Sequence, residues 1–294
     1  MVSIKKKKIS NKTYHYLQHT YRLNGKVHYK EKYIGEKIPK DIEKKMKEFQ
    51  REIYQEQWYS KFDKIKDNFD KNKKKMPKKI KEKELETFAI KFTYNTNKIE
   101  GSTLTHLETA LLLEKRISPA NKPIEDIKEA EQHREVFYDI LKFDKNINIS
   151  TLIDWHNKLF QSTKKNIAGK IRTYQVYISG SRHLPPSPTD LNLLIKEFFD
   201  WYNKNKDKMH PVHLAALVHL KFVSIHPFGD GNGRITRLFM NYVLNKNEYP
   251  MLIIEYKNRI SYYNALEKSN VNNDENIFTL WFFKRYIKEY ESYL

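Results

Sequence analysis

The sequence predicts a mainly α-helical chain, with a small β-hairpin module in front of a helical core and a second β-hairpin inside that core. Three observations predict it. Apolar residues recur at helical spacing through most of the chain beyond residue 81, most densely over residues 212–225. Asn24-Gly25, flanked by aromatic and β-branched residues, is a strong short-range hairpin signal. The formal charge of +19 is unevenly spread, since residues 1–80 hold 24 Lys/Arg against 10 Asp/Glu, a net of +14. That asymmetry divides the chain into a basic hairpin-plus-helix module, residues 1–80, and a helical remainder, residues 81–294.

In order along the chain, residues 12–23 alternate in part and residues 26–34 read as the return strand, closed by Gly35. Two strands alone are marginal, so they should pack on something or gain a third. Pro39 opens a charge-rich helical stretch over residues 41–70, with Ile42, Met46, Phe49, Ile53 and Trp58 as its apolar stripe. Residues 71–81 contain Pro77 and little apolar material, and are the expected linker or bend between helices. Leu85, Phe88, Ile90 and Phe92 then lead to Thr96-Asn97-Lys98-Ile99-Glu100-Gly101. A helix follows from about Thr103 until Ser118-Pro119 and Pro123 break it. Further helices are expected over residues 124–141 and 152–160. Residues 170–178 read as strand, with Gly180 in a turn and Leu184-Pro185-Pro186-Ser187-Pro188 as a rigid loop. Helices follow from Pro188, from His210-Pro211, over residues 258–268 and over residues 277–290.

The chain has no cysteine, which excludes disulfides and thiolate metal sites and fits a reducing compartment. No uncharged apolar run approaches the length of a membrane span, and no apolar segment follows the basic N-terminus. A cytoplasmic protein without a membrane partner is the expectation. The basic front reads either as a nucleic-acid contact through residues 1–80 or as a solvated Lys-rich face.

The chemistry concentrates in His226-Pro227-Phe228-Gly229-Asp230-Gly231-Asn232-Gly233-Arg234-Ile235-Thr236-Arg237, between two apolar helices. Phosphate groups need convergent donors. Gly231, Asn232 and Gly233 can expose backbone N–H groups, and the helix that resumes there adds its N-terminal donors. Arg234 and Arg237 are three apart and project near the same helix end. A carboxylate among phosphates is best explained as a Mg²⁺ (or Mn²⁺) ligand, which is Asp230. His226 has the unperturbed pKa that suits a general base near neutrality.

This stretch resembles the signature H-x-F-x-(D/E)-G-N-G-R-x-x-R of the Fic (filamentation induced by cAMP) proteins at every defined position. The resemblance implies a Fic-type helical core over roughly residues 85–292, and transfer of AMP from ATP to a Ser, Thr or Tyr hydroxyl of a target protein. It implies that His226 deprotonates that hydroxyl and Asp230 holds the metal. Gly231, Asn232, Gly233 and Arg234 would cradle phosphate, and Arg237 the γ-phosphate. Thr96 to Gly101 is similar to the family's inhibitory pattern (S/T)-x-x-x-E-(G/N), which implies a Glu100–Arg237 ion pair, oriented by Thr96, that blocks a productive ATP pose. Residues 169–186 resemble the family's hairpin flap, which would register the target, with Arg172 and His183 as candidate groove contacts. Asn258, Tyr262 and Tyr263 are candidates for the adenine pocket. The aromatic segment from Tyr14 to Gly35 resembles one found ahead of some prokaryotic Fic proteins and in some transposases. Family members often self-associate, so a homodimer is a further expectation. Two other functions fit the same residues: a Fic phosphodiesterase that removes AMP, and a nucleotide-sensing regulator associated with nucleic acid.

Overall fold

The first strand was not legible as one, because Lys5-Lys6-Lys7-Lys8 carries no apolar alternation. A computed structural model describes residues 2–23 and 25–294. It shows β1 (Ser3–Ile9), β2 (Lys12–Leu23) and β3 (Lys26–Gly35) in one antiparallel sheet, in the order β1-β2-β3. The expected hairpin is thus a three-stranded sheet, and β1 supplies the third strand that two strands need for stability. Asn24 of the expected Asn24-Gly25 turn lies outside the described residues; Gly25 has φ +77°, where glycine is unstrained.

The chain divides into two units: Met1–Asn68 with Tyr290–Leu294, and Phe69–Glu289. In the first, Ile4 pairs with Leu17, and Leu17 with Lys32. Alternate residues of β2 face opposite sides. One face therefore carries His15, Leu17 and Tyr21 onto helix α1 (Ile42–Tyr54), where Leu17, Phe49 and Ile53 are fully buried with Val2. Lys30 and Lys32 close the edge of that core with ion pairs to Glu56 and Glu52. A single π turn, Gln55–Tyr59, joins α1 to α2 (Ser60–Lys75).

Residues 71–81 hold a bend between two helices, the second of the two expected forms. Helix α2 runs to Lys75 and α3 begins at Lys78, leaving a break at Met76-Pro77 alone. Lysine is a good helix former, and Lys73, Lys74 and Lys75 sit at the negative end of the helix dipole. Pro77 cannot continue α2 but suits the start of α3.

In the second unit, α3 (Lys78–Ile99) packs with α4 (His106–Lys115) and α5 (Ile124–Lys142) through Ile90, Leu104, Leu112, Leu113, Ile127 and Ala130. Thr105 and Glu108 form a reciprocal capping box that starts α4. Asn148 caps α6 (Ile149–Phe160). Helices α7 (Leu191–Asn205), α10 (Arg259–Val271) and α11 (Glu275–Glu289) complete the shell. At the centre, α8 (Pro211–Ile225) and α9 (Asn232–Lys246) are buried on almost every side; the near-continuous apolar sequence of α8 requires it, whereas α9 also buries Asn232, Arg234, Thr236, Arg237 and Asn241. The turn between them holds the motif.

The expected second hairpin is also corrected. Residues 170–186 hold one isolated bridge, Ile171 to Phe228, and no strand. The two arms are joined by side chains instead: Arg172 Nη2 donates to Pro186 O and Gln175 Nε2 to Pro185 O. Pro185, Pro186 and Pro188 have no N–H to give to a ladder.

Phe49→Ala should cost the first unit about 3–5 kcal/mol, because the cavity forms in a fully buried site. Tyr33→Ala, on the opposite face of the sheet, should cost about 1 kcal/mol or less. Hydrogen-exchange protection of β2 amides reads both values, and equal losses would mean that the helix-facing side is not the core.

Candidate active site

Helix α8 ends because His226 adopts a left-handed conformation, φ 53° and ψ 56°, which turns the chain out of the helix. The His226 ring is then held from behind. Its Nδ1 lies 3.2 Å from Val223 O, and a carbonyl only accepts, so Nδ1 carries the proton. Nε2 is left with a free lone pair. Burial lowers the His226 pKa, the Val223 carbonyl opposes that in part, and the nearby Arg172 charge lowers it further. The ring is neutral at pH 7, as a base must be.

The loop after His226 is fixed by its own side chains. Asn232 Oδ1 accepts from Phe228 N at 2.9 Å and its Nδ2 donates to Phe228 O at 2.8 Å, closing the turn. Phe228 is fully buried and stacks on His156, with centroids 4.0 Å apart. His156 Nδ1 accepts from Gly169 N, so its Nε2 bears the hydrogen and donates to Asp230 O. Burial lowers the pKa of His156 to about 4. Gly231 has φ +78°, and a Cβ there would collide with the Phe160 ring; a Cβ on Gly233 would collide with the Glu100 carboxylate. Gly231 is required by its φ and by the ring; at Gly233 the obstacle is the movable end of the Glu100 side chain. The first turn of α9 has no intrahelical acceptors for its N–H groups, which makes its N-terminus an anion site.

Charged side chains ring this helix end. Asp230 meets Lys164 at 2.6 Å and Arg234 at 3.4 Å, and accepts from Gly231 N at 2.5 Å. Burial pushes the Asp230 carboxyl up, but Arg234 and Lys164 outweigh it, and its pKa lies below the ordinary carboxylate value. Glu129 pairs with Arg234 and, at 3.2 Å, with Lys164. The Arg234 guanidinium also lies 4.5 Å from the Phe160 ring centre. A cleft of about 150 Å³ opens among Asn97, Glu100, Glu129, Lys164, Asp230 and Arg234. A larger hollow of about 410 Å³ on α3, lined by Lys79, Glu82, Lys83 and Glu86, includes none of the motif residues.

Among the described residues no three His, Asp or Glu side chains cluster to hold a metal by themselves. A Mg²⁺ ion carried on phosphate groups needs only one or two protein carboxylates, because phosphate oxygens and water complete its shell. Asp230, ionised and at the cleft, fits that demand, with Lys164 as the cation a metal would displace.

Arg237 is 1% exposed, yet fully charged and fully answered. Its Nε donates to Thr96 Oγ1 at 2.6 Å, and Nη2 donates to Thr96 O at 3.2 Å and to Glu100 Oε1 at 2.5 Å. Nη1 reaches the Tyr262 hydroxyl at 3.4 Å, which in turn bonds to the buried His219. Burial works against the Arg237 charge, but Glu100 and Tyr262 more than offset it and the pKa is raised. Glu100 reaches this position because α3 stops one residue before it. Gly101, at φ +100°, turns the chain, and Ser102 N returns to Asn97 O at 3.0 Å.

The other expected residues fall in two places. Arg172 is 3% exposed, and its guanidinium donates to the carbonyls of His226, Tyr174 and Pro186. It organises the loop against the motif turn. His183 Nε2 donates to Ser224 O. Tyr262 backs Arg237, Tyr263 donates to Ile99 O at the end of α3, and Asn258 caps α10 and bonds to Glu255. Sequence reasoning missed Glu129, Lys164 and the part played by His156. Glu129 had one usable signal, a carboxylate on the buried face of an apolar-periodic helix. Lys164 is one lysine among many and had none.

Residues 146–244 match the Fic/DOC family. The chain is 34% identical over 202 residues to protein adenylyltransferase Fic of Culex quinquefasciatus, and 38% identical over 187 residues to that of Drosophila ananassae. Those alignments take in 65% and 60% of this chain but only 39% and 36% of those proteins, so the chain spans less than half the length of these curated relatives. Among solved structures, a Fic-domain-containing signaling protein from Bacteroides thetaiotaomicron is similar with a TM-score of 0.69 at 27% identity, over 78% of this chain and 95% of that one. Fic-1 from C. elegans is similar with a TM-score of 0.67 at 26% identity, over 80% and 70%. These matches place a Fic/DOC domain over residues 146–244 and give the surrounding helices the fold of Fic-domain proteins. No helix among the described residues is long and apolar enough to cross a membrane.

The neutral, buried His156 makes stability depend on pH with a definite sign. Its folded pKa is about 4 against an ordinary value of 6.5, so the unfolded chain binds more protons between those values. Stability should therefore fall as pH drops from about 6.5 to 4, by up to about 3 kcal/mol from this residue. His156→Gln should flatten that dependence in urea unfolding across the same range; an unchanged slope would assign the acid lability to other groups.

Proposed function

We propose that this protein transfers AMP from ATP to a hydroxyl side chain of a target protein, and that Glu100 restrains it by occupying Arg237. The observation that carries the reading is the α3–α9 ion pair, Glu100 to Arg237 at 2.5 Å, set beside a histidine whose Nε2 is free. An arginine this buried needs an anion. Glu100 serves in the resting chain, and the nucleotide's γ-phosphate takes its place when ATP binds productively.

The residues divide the work as follows. The N-terminus of α9, from Gly231 to Arg234, binds the phosphate groups through main-chain N–H groups and the Arg234 side chain. Asp230 holds Mg²⁺, which neutralises charge on the phosphate oxygens. His226 takes the hydroxyl proton at Nε2 while its Nδ1–H stays on Val223 O. The hydroxyl oxygen bonds to the α-phosphorus, the bond to the β-phosphate bridge breaks, and pyrophosphate leaves. Asn232, Phe228 and His156 hold the turn rigid, so that the base and the anion site keep their spacing. The target is a Ser, Thr or Tyr hydroxyl on another protein or on this one.

A labelled-ATP assay tests this. Wild type should label itself weakly, Glu100→Gly at least about tenfold more and in a Mg²⁺-dependent way, consistent with loss of about 1.4 kcal/mol or more of restraint. His226→Ala should not label. Equal labelling by wild type and Glu100→Gly would remove the restraint. Labelling by none of the proteins, with release of AMP from modified lysate proteins, would replace transfer by removal.

The pH profile of Glu100→Gly labelling gives an independent check. Because the His226 pKa lies below 6.5, the base stays unprotonated into mildly acidic solution. The acid limb should fall below pH 6.5, and a limb centred above it would exclude His226 in its observed environment as the base.

A further inference from the structure

The two faces of the N-terminal sheet are unequal. The face toward α1 is closed by Leu17, Phe49 and Ile53 and by the Lys30 and Lys32 ion pairs. The register places Lys5, Tyr14, Tyr16, Arg22, Tyr29 and Tyr33 on the other face. Tyr29 and Tyr33 are half exposed there, and Val27 more so. No helix of the first unit packs on it.

That face is organised. Tyr33 packs on both Tyr14 and Tyr16, with centroids 6.1 and 5.3 Å apart, and Lys7 lies 4.6 Å over the Tyr16 ring. The Tyr29 hydroxyl donates to Gln18, and Gln18 donates to Ser3, so one polar chain ties all three strands together. Its one carboxylate, Glu31, is already paired with Lys7. On this face Lys5 and Arg22 have no ion-pair partner among the described residues, and Lys12 is paired with Glu36; Lys6, Lys8 and Lys26 lie on the face toward α1. Residues 3–35 hold nine Lys/Arg and one Glu, and the two free cations of the open face lie on β1 and near the end of β2.

We propose that this open face is a docking surface for duplex nucleic acid, held through its phosphate backbone. Two features select that occupant. The face carries Lys5, Lys7, Lys12 and Arg22 against Glu31 alone, with Lys5 and Arg22 unanswered, which favours a polyanion. The outer strand axes of a three-stranded sheet lie about 10 Å apart, close to the roughly 12 Å width of a DNA major groove, so the sheet can enter the groove with Lys5 on β1 and Arg22 on β2 set against phosphates. The Tyr14 and Tyr16 rings are tilted by 55° and 53° to Tyr33, and Lys7 covers Tyr16, which disfavours the flat ring platform that stacks single-stranded bases. An anionic membrane would offer the same charge but no groove, and the face presents no long apolar ridge to bury in it.

The test uses the full chain and fluorescence anisotropy with a mixed-sequence 20-base-pair DNA duplex, the same-length single strand and phosphatidylserine vesicles. The duplex should bind more tightly than the single strand and the vesicles. Its affinity should fall with salt at a log–log slope of about −3, as for roughly three phosphate contacts. The double variant Lys5→Glu/Arg22→Glu should weaken duplex binding at least tenfold. The charge-matched control Lys44→Glu/Lys47→Glu, exposed on α1, should change it less than about threefold. No duplex binding at 50 mM salt, tighter binding to single strand or vesicles, or equal loss in the two variants each overturns the proposal. Circular dichroism on both variants confirms that the sheet persists. The site at 226–237 takes no part, so the outcome is independent of the transferase reading.

Discussion

One buried charge organises the second unit. Arg237 sits on α9 with almost no solvent contact, and its guanidinium is satisfied by Thr96, Glu100 and Tyr262. A buried arginine without partners would be strongly destabilising, so α3 and α10 must come to it. The end of α3 is placed by that demand. Glu100 itself is at the negative end of a helix dipole, an unfavourable place for a carboxylate, and only the arginine makes it tolerable. In the proposed reaction the nucleotide's γ-phosphate would take the place of Glu100 at Arg237.

The motif turn depends on a different constraint, the commitment of polar groups to single partners. Val223 O fixes the His226 proton on Nδ1, and Gly169 N fixes the His156 proton on Nε2. Asn232 spends its whole amide on Phe228, and Arg172 spends its guanidinium on three carbonyls. These groups do not touch a reacting atom, with the exception of His226. They remove alternative conformations from a loop that must hold a base and an anion site in fixed relation. In the cleft beside it, Glu129 pairs with Arg234 and Lys164 with Asp230, so each charge at this helix end has an opposite partner.

The motif residues were legible because their chemistry is local. Histidine, carboxylate, glycines and arginines within twelve positions need no tertiary information to suggest a phosphate site, and the apolar runs on each side place them between two buried helices. The Thr96–Gly101 segment was legible only through its resemblance, since its partner is 137 residues away. The hairpin expected at residues 170–186 failed for a local reason too: its prolines and the Arg172 and Gln175 side chains replace main-chain pairing. The four-lysine strand was invisible because a sheet edge exposed on both sides leaves no apolar period.

By itself, then, the sequence determined the helical class, the positions of the turn and its glycines, the place of the candidate base His226 and the basic character of the first eighty residues. These follow from periodicity, backbone conformation and side-chain pKa, which are properties of short segments. Only the tertiary structure decided which nitrogen of His226 is free and which anion answers Arg237. It also decided that Arg172 is structural, and that the sheet has one sealed and one open face. Each of these depends on which distant groups come within hydrogen-bonding range, and that is set by packing rather than by spacing along the chain.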